Sequence, residues 1–192
     1  MNNAVDFVHM VLDRVVTEGS IVIDATLGNG HDAEFLAGRI GTTGVLYGFD
    51  IQQEAVRAAS DKLKNHQGQL RLLGIGHEHL AASISPEHAG VVSAVVFNLG
   101  YLPGGDKAVT TVTETTIDAV TQALGVLRPG GIMTIVGYAH PEGERECAAL
   151  RQLLGILPQS EFACAETKFV NQRGNPPVGF VVYKRTTSGV RT

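Results

Sequence analysis

The sequence has no tryptophan, only two cysteines in 192 residues, and no excess of positive charge, with 15 Lys and Arg against 19 Asp and Glu for a formal net charge of −4. Cys147 and Cys164 stand alone, with neither metal-ligand spacing nor a disulfide framework, and both are expected to fill buried space. The acidic balance argues against the broadly basic surface that drives phosphate binding, so a nucleic-acid partner would need a local patch or a shape-selective pocket. Long apolar runs are missing too. None approaches the roughly 20 residues that span a bilayer, and Asp6 and Asp13 sit where a signal peptide needs a basic start and an apolar centre. A cytoplasmic protein with no membrane partner is expected.

What is present suits one globular domain, expected over residues 1–185, with a flexible tail at 186–192; the hydrophobic share is 44%. The chain is organised around Ile21-Val-Ile-Asp-Ala-Thr-Leu-Gly-Asn-Gly30, an apolar run that ends in an acid and breaks into two close glycines before a helical segment. Strand, tight turn and helix start together make a cradle: glycines let backbone approach a ligand, and the helix N-terminus offers unpaired N–H groups. A second strand, Val45 to Phe49, ends at Asp50, about 20 residues beyond Gly30, the spacing of a carboxylate that bonds a ribose in doubly wound sheets. Gly28-x-Gly30-x-x-Ala33 also satisfies the dinucleotide pattern, so this motif alone does not separate a nicotinamide enzyme from a user of S-adenosylmethionine.

Hydrophobic spacing predicts helices over 4–17, 31–40, 52–65, from about 110 to 127, and 142–157. Strands are expected at 21–24, 45–49, 70–73, 91–97 and 132–136, with 161–170 and 178–184 pairing as an antiparallel hairpin because no helix separates them. Val91 to Phe97 is almost wholly apolar, as in a strand covered on both faces. Right-handed crossovers would make the first five strands parallel and bring the loops after them, including Gly74 to Leu80, to one edge where ligands sit. The expected fold class is α/β: a seven-stranded, mostly parallel sheet with a C-terminal antiparallel hairpin and helices on both faces.

Five βα units closed by a hairpin resemble the class I S-adenosylmethionine-dependent methyltransferases. The likeness narrows at Asp24-Ala-Thr-Leu-Gly-Asn-Gly-His-Asp32, Asn98-Leu-Gly-Tyr-Leu-Pro-Gly-Gly-Asp-Lys107, His140-Pro141, and Asn171-Gln172 with Asn175-Pro-Pro177. Together these segments are similar to the MnmM (YtqB) family, nearly along the whole chain. The family more often has a small residue at the position of Leu27 and a glycine at that of Ala139. The resemblance implies S-adenosyl-L-methionine as cofactor and tRNA, through its anticodon arm, as partner. The reaction it implies is methyl transfer to the amine of wobble 5-aminomethyl-2-thiouridine. Alternatives that keep the same cofactor residues are an rRNA or small-amine N-methyltransferase and a non-catalytic module that senses the cofactor or docks on RNA. A homodimer would enlarge the RNA-contacting area of a small acidic chain.

A sulfonium methyl is already activated, so the enzyme's work is to align a nucleophile and exclude water. Asn98 suits an amine nucleophile: its side-chain oxygen can accept N–H bonds and leave the nitrogen lone pair aimed at the methyl group. Its placement resembles the Asn/Asp-Pro-Pro-Tyr segment of amino-methyltransferases, with Leu99-Gly100 in place of the prolines. Tyr101 would stack on the base, and either Tyr101 or His140 could take a proton. For the cofactor, Gly28, Asn29 and Gly30 should line the methionine portion, with Asp24 holding the turn or the amino group. Asp50 should meet the ribose with Gln52 and Gln53 nearby, His77 and Glu78 should flank the adenine, and Asn98 should border the cofactor as well. Asp32 is a further cofactor candidate, although it and His31 could also be helix-capping residues. His77-Glu-His79 lacks a third ligand for a metal, so none is expected. Lys107, His140 and Asn171 are the remaining substrate candidates, with Lys168 and Arg173 able to meet phosphate.

Overall fold

The computed structural model describes residues 4–106 and 108–186, so the candidate Lys107 and the tail from 187 onward lie outside the described residues. One sheet runs β3-β2-β1-β4-β5-β7-β6. Its strands are β1 (Ile21–Asp24), β2 (Val45–Phe49), β3 (Gln69–Leu73), β4 (Val92–Asn98), β5 (Leu127–Gly137), β6 (Phe162–Thr167) and β7 (Val178–Lys184). The first five are mutually parallel, while β7 is antiparallel to both β5 and β6. The return strand β7 therefore inserts between β5 and β6, and the mixed seven-stranded sheet matches the expectation.

Side chains alternate between two cores. Ile23, Tyr47, Phe49, Val95, Phe97, Met133, Ile135 and Phe180 share one cluster with Ala119 and Val120 of α5 (Thr113–Val126) and Leu150 of α6 (Pro141–Gly155). Val22, Leu46, Ala94, Val96 and Ile132 share the other with Val8 of α1 (Ala4–Leu12), Leu36 of α2 (His31–Ile40) and Ala59 of α3 (Gln53–Leu63). A short α4 (Leu80–Ser83) completes the set, on the α5 side through Leu80. Period-2 alternation on the central strands thus feeds helices on both faces, and each fully buried large side chain contributes roughly 1.5–3 kcal/mol.

Several boundaries differ from expectation. Helix α1 stops at Leu12 rather than 17, because the bonds from Arg14 N–H to Val11 O and Val15 N–H to Leu12 O tighten its end into turns that deliver Val16 to the core. Helix α5 begins at Thr113, since Thr111 exchanges bonds with Gly100 and Thr110 bridges Tyr101, which keeps 110–112 extended. Strand β5 reaches back to Leu127, opposite Val92, and bulges through Pro129 and Gly130 before rejoining β4 at Ile132. Cys147 is buried as expected, but Cys164 is exposed, because β6 is an edge strand with mostly open side chains.

Candidate active site

The carboxyl ends of β1, β2, β4 and β5 open onto a cavity of about 640 Å³, within the range of small-molecule sites. Its walls include Gly28 and Asn29 from the first loop and Asp32 from the start of α2, Asp50 and Gln52 from the second loop, and His77 and Glu78 from the third. Asn98 and Tyr101 follow β4, and His140 follows β5. Asp24, Gly30 and Gln53 lie beneath or beside this wall rather than in it. Asn171 is exposed on its loop, whose contribution to the cavity is Asn175.

The glycine turn is built by close approach. Gly28 and Gly30 have φ of 49° and 73°, left-handed values that a side chain disfavours, and a Cβ on Gly30 would lie 2.8 Å from Ala59 Cα on α3. Leu27 is buried against Gly48 of β2, where any Cβ would meet its Cδ2 at 2.5 Å; a larger side chain than the family's usual residue is thus matched by an empty place opposite. Asp50 locks the turn from across the sheet. Its Oδ2 accepts the Gly28 N–H at 3.0 Å and its Oδ1 accepts the Gln52 N–H at 2.9 Å. Since an ionised carboxylate offers about four acceptor positions, lone pairs remain for a diol.

Asp24 is fully buried, and its Oδ1 accepts the Thr26 N–H at 3.1 Å while Oδ2 has no partner among the described residues. Burial, followed by the carboxylates of Asp32 and Asp50, pushes its carboxyl well above the ordinary 3.8. Protonation is favoured by folding here, so ionisation costs stability progressively as pH rises from the ordinary carboxylate range through the raised value. Asp24→Asn is uncharged and nearly isosteric. Thermal melts should show it gaining on the native chain as pH is raised from 4 to 8, and a pH-independent gap between the two would contradict the assignment.

Asn98, at the end of β4, has its N–H accepted by Thr26 Oγ1 at 2.7 Å, so the first loop holds its backbone. Its Nδ2 donates to Asp32 Oδ2 at 3.4 Å, and its Oδ1 is buried with no partner among the described residues. Asp32 is therefore not a surface cap. It is 6% exposed, and its Oδ1 accepts a 2.6 Å bond from His9 Nε2 on α1. Tyr101 is 41% exposed at the mouth, held by its bridge to Thr110, with its ring centroid 6.1 Å from that of His140. His140 Nδ1 accepts the Gly143 N–H at 3.1 Å as the N-cap of α6. In the neutral ring the proton is then on Nε2, which is buried and has no partner among the described residues. Tyr138, which the sequence pattern did not single out, joins the wall, and burial raises its phenol above the ordinary value.

His77 donates from Nδ1 to Ala25 O at 3.2 Å and meets Phe97 edge-on, and burial lowers its pKa below the usual histidine value. It is a wedge between the β1 end and the pocket floor, with the half-exposed Glu78 beside it. Among the described residues no group of three His, Cys, Asp or Glu is placed to hold a metal, and no helix is long and apolar enough to cross a membrane. S-adenosylmethionine fits these residues. Its cationic sulfonium and ammonium suit the Asp32 and Asp50 carboxylates on the cavity wall, and its ribose suits the lone pairs left on Asp50.

Comparison with known proteins agrees. The family described as "Putative rRNA methylase" matches residues 46–183. The chloroplastic tRNA (mnm(5)s(2)U34)-methyltransferase of Arabidopsis thaliana is 35% identical over 193 residues, covering 95% of this chain and 69% of that one. A solved protein of the same rRNA-methylase description from Clostridium thermocellum superposes with a TM-score of 0.90 at 37% identity, over 96% of this chain and 98% of that one. A Streptococcus mutans protein solved in complex with SAH gives 0.84 at 29% identity, over 96% and 99%.

Proposed function

The chain belongs to the family described above as rRNA methylases, and from that premise we propose that it is an S-adenosylmethionine-dependent N-methyltransferase acting on tRNA. Its substrate is the amine of wobble 5-aminomethyl-2-thiouridine, whose methylation gives the mnm(5)s(2)U34 in the name of the Arabidopsis relative. The observation that carries the reading is Asn98 Oδ1, a buried acceptor without a partner on the wall of the cavity, where an amine can donate to it.

The cofactor supplies an electrophilic methyl group on a positively charged sulfur. The chain does the rest. Gly28, Asn29 and the N-terminal end of α2 cradle the donor's methionine end, and Asp50 accepts from its ribose. Asn98 Oδ1 accepts from the substrate amine, which turns the nitrogen lone pair away from the carboxamide and toward the donor. An alkylamine is mostly protonated near pH 7, and the apolar walls made by Leu99, Leu102 and Val112 favour its neutral form by excluding water. Tyr101 at the mouth gives the base a face to stack on, worth about 1–3 kcal/mol for such a contact. His140 Nε2, buried and without a partner among the described residues, is placed to donate to a carbonyl of that base.

The loops around the mouth, including Tyr101, Asn175 and the segment carrying Asn171, support docking of an anticodon arm whose wobble base is turned into the cavity. Two copies pairing as a homodimer would widen that surface. A single domain fits the one continuous sheet. The test is incubation of the purified protein with labelled methyl donor and tRNA with or without the aminomethyl group. Label should enter only the aminomethylated tRNA; equal labelling of both, or labelling of rRNA instead, would overturn the substrate.

A further inference from the structure

A carboxamide is a useful acceptor only when turned the right way. Its oxygen and nitrogen ends occupy nearly the same volume, and a flipped Asn98 would present donors to an amine that is itself a donor. The surroundings of Asn98 settle its direction. Asp32 Oδ2 lies 3.4 Å from Nδ2, and a carboxylate can only accept, so the NH₂ end faces Asp32 and the buried oxygen is the end without a partner among the described residues.

That contact is long, and it holds only while Asp32 holds still. The terminal torsion of aspartate is broad, so the carboxylate needs a second anchor. It has one in His9, whose Nε2–H donates to Oδ1 at 2.6 Å and whose ring stacks on Phe35 with centroids 3.9 Å apart and planes 5° from parallel. The chain of contacts therefore runs from α1 through α2 to the end of β4, joining residues 23 and then 66 positions apart in sequence.

We propose that His9 is a positioning residue for methyl transfer: by anchoring Asp32 it sets the polarity of the Asn98 carboxamide, keeping the oxygen toward the substrate amine. The inference rests on the reading of Asn98 as the amine's acceptor. Loss of His9 frees Asp32 to rotate, and Asn98 then samples both orientations. A misplacement on the scale of an ångström can cost about a hundredfold in rate.

The test is steady-state kinetics on aminomethylated tRNA for His9→Ala, His9→Gln, Asp32→Asn and the His9→Ala/Asp32→Asn double variant, with melts and cofactor titrations alongside. Expected for His9→Ala is a kcat lower by about tenfold to a hundredfold, with KM for tRNA and the cofactor Kd within about threefold of native. His9→Gln, which keeps a donor at similar reach, should recover most of that loss, and His9→Ala should add nothing on top of Asp32→Asn. A merely structural tie between α1 and α2 would lower the melting temperature without this kcat-only signature. Should His9→Ala fail to fold, the side-chain amide resonances of Asn98, identified by their loss in Asn98→Ala, decide instead: they should match native in His9→Gln and move in Asp32→Asn.

The proposal is overturned if His9→Ala turns over within twofold of native, if His9→Gln is no better than His9→Ala, if the two losses multiply in the double variant, or if those amide resonances are indifferent to Asp32. An inactive Asn98→Ala beside a fully active His9→Ala rejects the role of His9 alone. An active Asn98→Ala rejects the acceptor reading and this inference with it.

Discussion

Asn98→Ala is expected to bind the methyl donor within about threefold of the native chain while its methyl transfer falls by at least about a hundredfold, the usual cost of deleting one preorganised polar group at a reacting centre. The two effects separate because the donor's ribose and methionine ends are expected at the Asp50 and Gly28 side of the cavity, whereas the carboxamide is a β4 feature facing the substrate. Truncation also leaves Asp32 without its Asn98 contact, but Asp32 keeps the shorter bond from His9, so the fold should survive. Titration calorimetry with the donor and initial rates with aminomethylated tRNA are the paired measurements. Retained turnover would move the chemistry elsewhere, and a large loss of donor affinity would make Asn98 a cofactor residue first.

The second large effect is on binding. Asp50→Ala removes the acceptor expected to meet the ribose and also releases the N–H groups of Gly28 and Gln52, which its two oxygens hold at 3.0 and 2.9 Å. Hydrogen bonds to charged groups contribute about 1.5–3 kcal/mol each, so the cofactor Kd should rise by about tenfold to more than a hundredfold. Asp50→Asn separates the two roles. Its single remaining oxygen can hold Gly28 or Gln52 but not both, and its melting temperature should fall between native and Asp50→Ala. An unchanged cofactor Kd in Asp50→Ala would reject the ribose assignment outright.

The strand ends were legible because each carries its own punctuation: an apolar run closed by Asp24, Asp50 or Asn98 marks both the end of a strand and the edge where a ligand sits. The two-cored sheet followed from runs that are apolar at nearly every position, such as Val91 to Phe97, which need cover on both faces. The roles of individual residues were less so. Nothing in the local pattern around His9, a lone histidine on an amphipathic helix, points to a carboxylate 23 residues away. Asp32 at a helix start has the look of a cap until the packing of α1 buries it. The extended 110–112 segment resembles a helix start in composition, and its pairing with Gly100 and Tyr101 is a tertiary choice. The exchange of Asn171 for Asn175 at the cavity wall depends on the path of an irregular loop, and the openness of Cys164 on β6 being at the sheet's edge.

The most direct measurement is a crystal structure of the chain with S-adenosylhomocysteine and an anticodon-arm RNA bearing 5-aminomethyl-2-thiouridine. The expected result is the amine nitrogen within about 2.7–3.2 Å of Asn98 Oδ1 and facing the cofactor sulfur. An amine bound away from Asn98, or a carboxamide presenting its nitrogen to that amine, would contradict it.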